Sequence, residues 1–324
     1  IEEGRVVIAN TMTVQQWGEI CIDTYKTNLE ELTLINYRSK INRWIYRKIG
    51  HLQIKNIKPL HCQQILNEMA GYSSDTIKKV NQMLSFIFSK AVDNQLILLN
   101  PAKDLTRPKG TVTARRSITE HERATLLLVA KTYDKYLYFL FMLYCGCRPS
   151  EAAEIKRMDI QDINSCPVLH IRGTKSKAAD RYVPIPDELF YVLPKISPFE
   201  YFVTNLKGQK LNENNRNSLW KHLRRDMNIA MGCKVYRNQL IAPYPLAIDF
   251  TPYCLRHTYC TDLQDYGVDI RVAQKLMGHS SIDLTANIYT HSTDQSIINA
   301  AALINGDAHK GATQGATLKG HKRA

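Results

Sequence analysis

Residues 136–152 read YLYFLFMLYCGCRPSEA, and their first twelve positions form the longest apolar run in the chain. That run is too short for the roughly 20 apolar residues that cross a bilayer. It predicts a helix over 135–144, apolar all round and therefore buried in a protein core. Gly146 is a natural stop for this helix, because glycine takes the left-handed conformation of a helix end without steric cost. Pro149 then suits the first turn of a new helix over 150–156. Arg148 thereby stands at a helix start, where unpaired backbone N–H groups favour anions.

Outward from this centre, the helical period dominates. A domain over 118–305 begins near Ser117 and Thr119, either of which can cap a helix whose first residues are acidic. Strands are expected over 168–171 and 182–185, joined by a polar turn over 173–180. Helices follow over 215–231, 253–266 (ending at Gly267), 269–277 (ending at Gly278) and 284–289. On the N-terminal side, Trp17, Ile20 and Cys21 share one helical face, and Leu32, Leu34, Tyr37 and Ile41 continue it on a second helix. A third helix fits 58–69, with Pro59 in its first turn. A fourth fits 74–94, with Ser74 as its cap and Ile77, Val80, Met83, Ile87 and Ala91 at helical spacing. These four make a small all-α domain over 11–105. Residues 1–10 read as a connector, in a chain that starts at Ile1 and so reads as a fragment. The fold class is mainly α with a small antiparallel β-sheet.

Charge narrows the function. The chain carries 43 Lys and Arg against 30 Asp and Glu, a net +13 with a pI near 9.3, which points to a polyanionic partner. The linker over 106–117 concentrates the excess: Arg107, Lys109, Arg115 and Arg116 lie where the apolar period is lost. They are candidate DNA contacts. A further basic tail occupies 306–324. The eight cysteines form no CxxC pair, which fits a reducing, cytosolic context and argues against zinc. No charged segment leads into an apolar one at the N-terminus, so secretion is not expected, and no long basic amphipathic helix with an aromatic apolar face points to membrane binding.

Five short segments carry the chemistry. They are Arg148-Pro-Ser-Glu151, the hairpin lysines of Gly173-Thr-Lys175-Ser-Lys177, Tyr253-Cys-Leu-Arg256-His257-Thr258, Gly278-His279-Ser and Tyr289-Thr-His291. In this order and spacing the chain resembles the tyrosine recombinases, the integrases of phages and conjugative transposons. The stretch Asn100-Pro-Ala-Lys-Asp-Leu105 is similar to the end of that family's core-binding domain. The resemblance implies a helical core-binding domain and an α+β catalytic domain that form a C-shaped clamp on double-stranded DNA at an attachment or crossover site. It implies a homo-tetramer with exchanged C-terminal segments, an excisionase-type accessory protein as a further partner, and a nucleoid-associated location in a bacterium. No cofactor and no metal are expected.

The resemblance also implies roles. Tyr289 is the nucleophile that would form a 3′-phosphotyrosine, and Arg148 and Arg256 are the phosphate clamps. A planar guanidinium matches the geometry of two phosphate oxygens, so the chemistry agrees with that placement. Lys175 would protonate the leaving 5′-oxygen, with Lys177 as the less favoured alternative. His279 would hydrogen-bond the scissile phosphate, and Glu151 would buttress Arg148 or another partner in the site. Tyr253 departs from the pattern, since the family usually has histidine there. A phenol donates a hydrogen bond to phosphate but shuttles protons poorly near pH 7. An apolar stripe of Ile297, Ile298, Ala301, Leu303 and Ile304 is expected to dock on another protomer.

Overall fold

The computed structural model describes residues 11–111, 116–173 and 177–289. The chain divides into two compact units, 1–114 and 115–324.

In the first unit, helix α1 (Val14–Tyr25) starts from a capping box: the Thr13 hydroxyl accepts the Gln16 N–H, and the Gln16 side chain accepts the Thr13 N–H. Helix α2 (Glu31–Ile41) runs through a π-helical turn (Asn42–Tyr46) into α3 (Arg47–Ile49). Helix α4 (Pro59–Asn67) has Pro59 at its first position, and α5 (Ser74–Asp93) is the long central helix. Its buried stripe of Ile77, Val80, Met83, Leu84, Ile87, Phe88 and Ala91 forms the core with Val14, Trp17, Cys21 and Ile22. The Trp17 indole donates to the Ile87 carbonyl at 3.0 Å, locking α1 on α5. Three expectations are corrected here. The cap of α5 is Ser73, whose hydroxyl accepts from Thr76 N, and not Ser74. Ile20 and Leu32 are 43% and 65% exposed, off the shared face. The stripe of α1 instead passes through Gly18, where a Cβ would meet the Tyr46 hydroxyl at 2.4 Å. A close approach made by a glycine leaves no hydrophobic signal.

The second unit opens with α6 (Glu120–Thr132), capped by Thr119 and Glu122 as a reciprocal pair. Helix α7 (Leu137–Cys145) is the apolar run. It is buried from Leu137 to Leu143 and at Cys145, and ends at Gly146 with φ +60°. Helix α8 is only Pro149–Ala152, shorter than expected, because the Asp159 carboxylate takes the Lys156 N–H and starts a new turn there. Three antiparallel strands follow in the order β1 (Ile160–Ile163), β2 (Cys166–Ile171), β3 (Arg181–Pro184), with Leu169 opposite Val183 and Ile171 opposite Arg181. Strand β1 was not expected from the sequence, and β3 begins one residue early, so that Arg181 joins the sheet. A four-residue α9 (Asp187–Phe190) leads to α10 (Glu213–Ala230), which starts earlier than expected because Asn212 caps it. A small hairpin, β4 (Val235–Tyr236) and β5 (Gln239–Leu240), precedes three helices: α11 (Pro252–Asp265), α12 (Ile270–Met277) and α13 (Asp283–Tyr289). Asp269 caps α12 through the N–H groups of Arg271 and Val272, and Gly278 ends it at φ +63°. No helix among the described residues is long and apolar enough to cross a membrane.

Candidate active site

Two glycine-capped helix ends build the floor of the site. At each, the left-handed glycine turns the chain away and leaves carbonyl oxygens facing inward, at the negative end of the helix dipole. Arg256, in the second turn of α11 and 5% exposed, donates from Nη1 to the Gly146 carbonyl and from Nη2 to the Met277 carbonyl. Arg148, at the start of α8, donates from Nη2 to the Gly278 carbonyl at 2.7 Å. Its backbone N–H and its Nη1 both donate to Glu151, at 2.8 and 2.6 Å. The ends of α7 and α12 therefore fix two guanidinium groups that lie 108 positions apart in sequence.

Glu151 is the hub. Its carboxylate also accepts from Arg181, Nη1 at 3.2 Å and Nη2 at 2.9 Å, and lies 4.0 Å from Arg256. Burial pushes the Glu151 carboxyl up, but the hydrogen bond and charge of Arg181, with Arg148 behind, outweigh it and hold the group at about 2. Burial, followed by the charges of Arg148 and Arg181, brings Arg256 down to about 10. The cluster holds three guanidiniums and one carboxylate, a net positive charge that is mostly sealed from water. Arg148 is its most open member, with a third of its side chain exposed, against 7% for Arg256 and 4% for Arg181. Such a site favours an anion placed against Arg148.

His279 follows the Gly278 turn. Its Nδ1 shares a hydrogen bond of 2.9 Å with the Thr285 hydroxyl, and Thr285 is fully buried on α13. Burial, then the charges of Arg256, Arg148 and Arg181, holds the imidazole at about 4, so it is neutral at pH 7. With Nδ1 occupied, Nε2 is left for a ligand. Tyr289 ends α13, one helical turn beyond Thr285, and its side chain lies outside the described residues. Tyr253 lies in the first turn of α11 and is 41% exposed.

Other expected residues fall elsewhere. Lys175 and Arg115 lie outside the described residues, as does the stripe over 297–304. Lys177 begins a short 3-10 turn (Lys177–Ala179), its side chain outside the description. Arg107 and Lys109 are exposed in the first unit, beside Ser74 at the start of α5. Arg116 is engaged by two carboxylates, Glu122 at 2.7 Å and Asp249 at 2.9 Å. No group of three His, Cys, Asp or Glu side chains able to hold a metal ion occurs among the described residues.

Two residues of the cluster were missed in the sequence, Arg181 and Thr285. The alternation Arg181-Tyr-Val183-Pro-Ile185 places Arg181 on the buried side with Val183 and Ile185, which was the available signal. For Thr285 the signal was its spacing of one turn before Tyr289 on a short helix.

Comparison with known proteins identifies the family of the chain. The phage integrase family matches residues 116–296, and the phage integrase N-terminal SAM-like domain matches residues 13–70. The tyrosine recombinase XerA of Thermococcus onnurineus is 30% identical over 248 residues, 73% of this chain and 78% of that protein. The transposase from transposon Tn916 of Enterococcus faecalis is 27% identical over 291 residues, 80% of this chain and 69% of that protein. Among solved structures, the Tn1549 transposon integrase (aa 82-397) in complex with circular intermediate DNA superposes with a TM-score of 0.69 at 21% identity, covering 90% of this chain and 99% of that one. The chain belongs to the phage integrase family, the tyrosine recombinases, whose members cleave and rejoin DNA.

Two expectations follow from the geometry. The depressed value of His279 means that the unfolded chain takes up a proton near pH 6.5 while the folded chain does so only near pH 4. This contribution to stability is complete above pH 6.5 and is lost as pH falls towards 4. An NMR titration of the DNA-free protein should place the His279 midpoint near 4, and a midpoint at the ordinary value would contradict the site described.

The exposure of Tyr253 fits a phenol that donates to a ligand better than one that packs. Tyr253→Phe should then slow single-turnover cleavage by about 0.5–1.5 kcal/mol, the worth of an ordinary hydrogen bond. Tyr253→His should be tolerated. A silent Phe together with a damaging His would show that the ring serves packing.

Proposed function

We propose that the guanidiniums of Arg148 and Arg256 grip the scissile phosphate of a double-stranded crossover site while Tyr289 attacks it. The observation that carries this reading is the net-positive cluster around Glu151, pinned by two helix ends and most open at Arg148. A phosphodiester in transfer spreads negative charge over its non-bridging oxygens. Preset donors stabilise that charge without reorganising at the moment of reaction. His279, neutral and oriented by Thr285, would donate a further hydrogen bond from Nε2.

The step conserves the bond energy. The Tyr289 oxygen passes its phenolic proton to water and forms a bond to phosphorus, and the bond from phosphorus to the 5′-oxygen breaks. The DNA 3′ end is left as a phosphotyrosine, and the departing 5′-oxygen takes a proton from Lys175. Attack by the 5′-hydroxyl of another strand reverses the step, releases Tyr289 and completes strand exchange. Clustered guanidinium charge favours the phenolate and so assists the attack.

On this reading both units contact the duplex, with Arg107, Lys109, Arg115 and Lys177 on the DNA backbone. Phosphate contacts then dominate affinity, which falls steeply with added salt. Four protomers would act together, each lending its C-terminal segment to a neighbour, with an excisionase-type protein directing excision over integration. The integrase and transposase relatives support integration and excision of a mobile element as the biological setting, in the cytoplasm beside the chromosome.

The test is incubation with nicked site DNA in EDTA. A covalent 3′-adduct should form with the unaltered protein and be absent with Tyr289→Phe, while DNA affinity stays within a few-fold, since one hydroxyl hardly alters the ionic contacts. An adduct that survives in Tyr289→Phe would place the nucleophile elsewhere.

A further inference from the structure

Arg181 is an expensive residue to place where it lies. It sits in β3 opposite Ile171, 6% exposed, with Val183 and Ile185 buried beside it. An apolar side chain there would avoid the desolvation of a cation. Four of its five N–H donors are nonetheless engaged. Nε donates to the Leu276 carbonyl at 2.7 Å, and Nη1 to the Ala179 carbonyl at 2.9 Å. Nη1 and Nη2 together take both oxygens of Glu151. Position 278 leaves no space above it: a Cβ on Gly278 would lie 2.8 Å from Arg181 Nη1. One side chain thus joins three segments: the turn at Ala179 entering β3, the last turn of α12 that leads to His279, and the carboxylate that holds Arg148.

We propose that Arg181 is a positioning residue for strand cleavage. It holds the Glu151 carboxylate and the end of α12 in register, so that Arg148 and Arg256 meet the scissile phosphate already arranged. It does not itself touch DNA. The proposal rests on the reading of Arg148 and Arg256 as phosphate clamps, and its consequence is specific. Loss of Arg181 should behave as a weakened phosphate clamp and not as a general loss of folding.

A methylphosphonate at the scissile position separates these cases, because replacing one non-bridging oxygen by methyl removes the charge that the guanidiniums must meet. Single-turnover cleavage of the phosphodiester and the methylphosphonate would be compared for the unaltered protein, Arg148→Ala, Arg181→Lys and Arg181→Met. A lysine at 181 keeps the charge but gathers its three donors on a single nitrogen, which cannot span Leu276, Ala179 and both Glu151 oxygens. Arg181→Lys should cleave the phosphodiester roughly 10–100-fold more slowly, the usual cost of losing a residue that orients a functional group. Most of that deficit should vanish on the methylphosphonate, as it should for Arg148→Ala, with DNA affinity little changed. Arg181→Met should show the same pattern more strongly, and if it fails to fold the Lys variant decides. An equal deficit on both substrates for Arg181→Lys, while Arg148→Ala recovers, would overturn the positioning role and leave Arg181 as a packing residue. A deficit in Arg148→Ala that does not narrow would overturn the clamp reading itself, and the proposal with it. Unchanged cleavage by Arg181→Lys and Arg181→Met would also overturn it.

Discussion

The carboxylate of Glu151 is shared between Arg148 and Arg181, with Arg256 4.0 Å away. Without it, three guanidiniums would face one another in a region mostly closed to water, at a Coulombic cost that grows as the local dielectric falls. With it, the group remains cationic but becomes orderly, and each arginine has a defined direction. Burial first, and then repulsion from Arg148 and Arg181, still hold Arg256 down at about 10. On the proposed reading a phosphate anion would relieve both, so that binding strength and transition-state stabilisation would draw on the same imbalance of charge.

The fold serves that cluster through its helix ends more than through its helix faces. The apolar α7 is an anchor whose useful product is one carbonyl, that of Gly146, presented to Arg256. The end of α12 supplies three more, from Leu276, Met277 and Gly278, one to each arginine. Both ends require a left-handed residue. At Gly146 a Cβ would also strike the Tyr259 ring at 2.3 Å, so glycine there satisfies a close approach as well as a turn. His279 comes directly after the second of these turns and is tied by Thr285 to the helix that ends in Tyr289. Core packing, the arginine cluster and the placement of α13 are thereby linked by short, direct contacts.

Much of this was legible in sequence because it rests on local signals. The apolar run of α7, its glycine stop, the Thr119 cap and the helical period of α5 all follow from residue type and spacing. The five motif segments marked Arg148, Glu151, Arg256 and His279, and the fold brings these four together. Less legible were features set by tertiary contact. Gly18 marks a close approach to Tyr46 that hydropathy cannot register, so Ile20 was drawn onto the wrong face. Strand β1, with only Ile160 buried along it, has almost no alternating pattern to read. Arg181 reads as a polar strand end until the carboxylate and carbonyls that receive it are in place. Arg116 reads as a free linker cation, yet Glu122 and Asp249 hold it.

The central claim is that one carboxylate organises the guanidiniums proposed to grip the phosphate. Glu151→Gln tests it most directly, since the amide keeps the shape, removes the charge and turns a donor towards donors. With the fold intact by circular dichroism, single-turnover cleavage should fall roughly 10–100-fold, while affinity for site DNA is retained or rises because the cluster gains positive charge. Cleavage at the unaltered rate by Glu151→Gln would contradict the account, for it would mean that the arginines arrange themselves without Glu151.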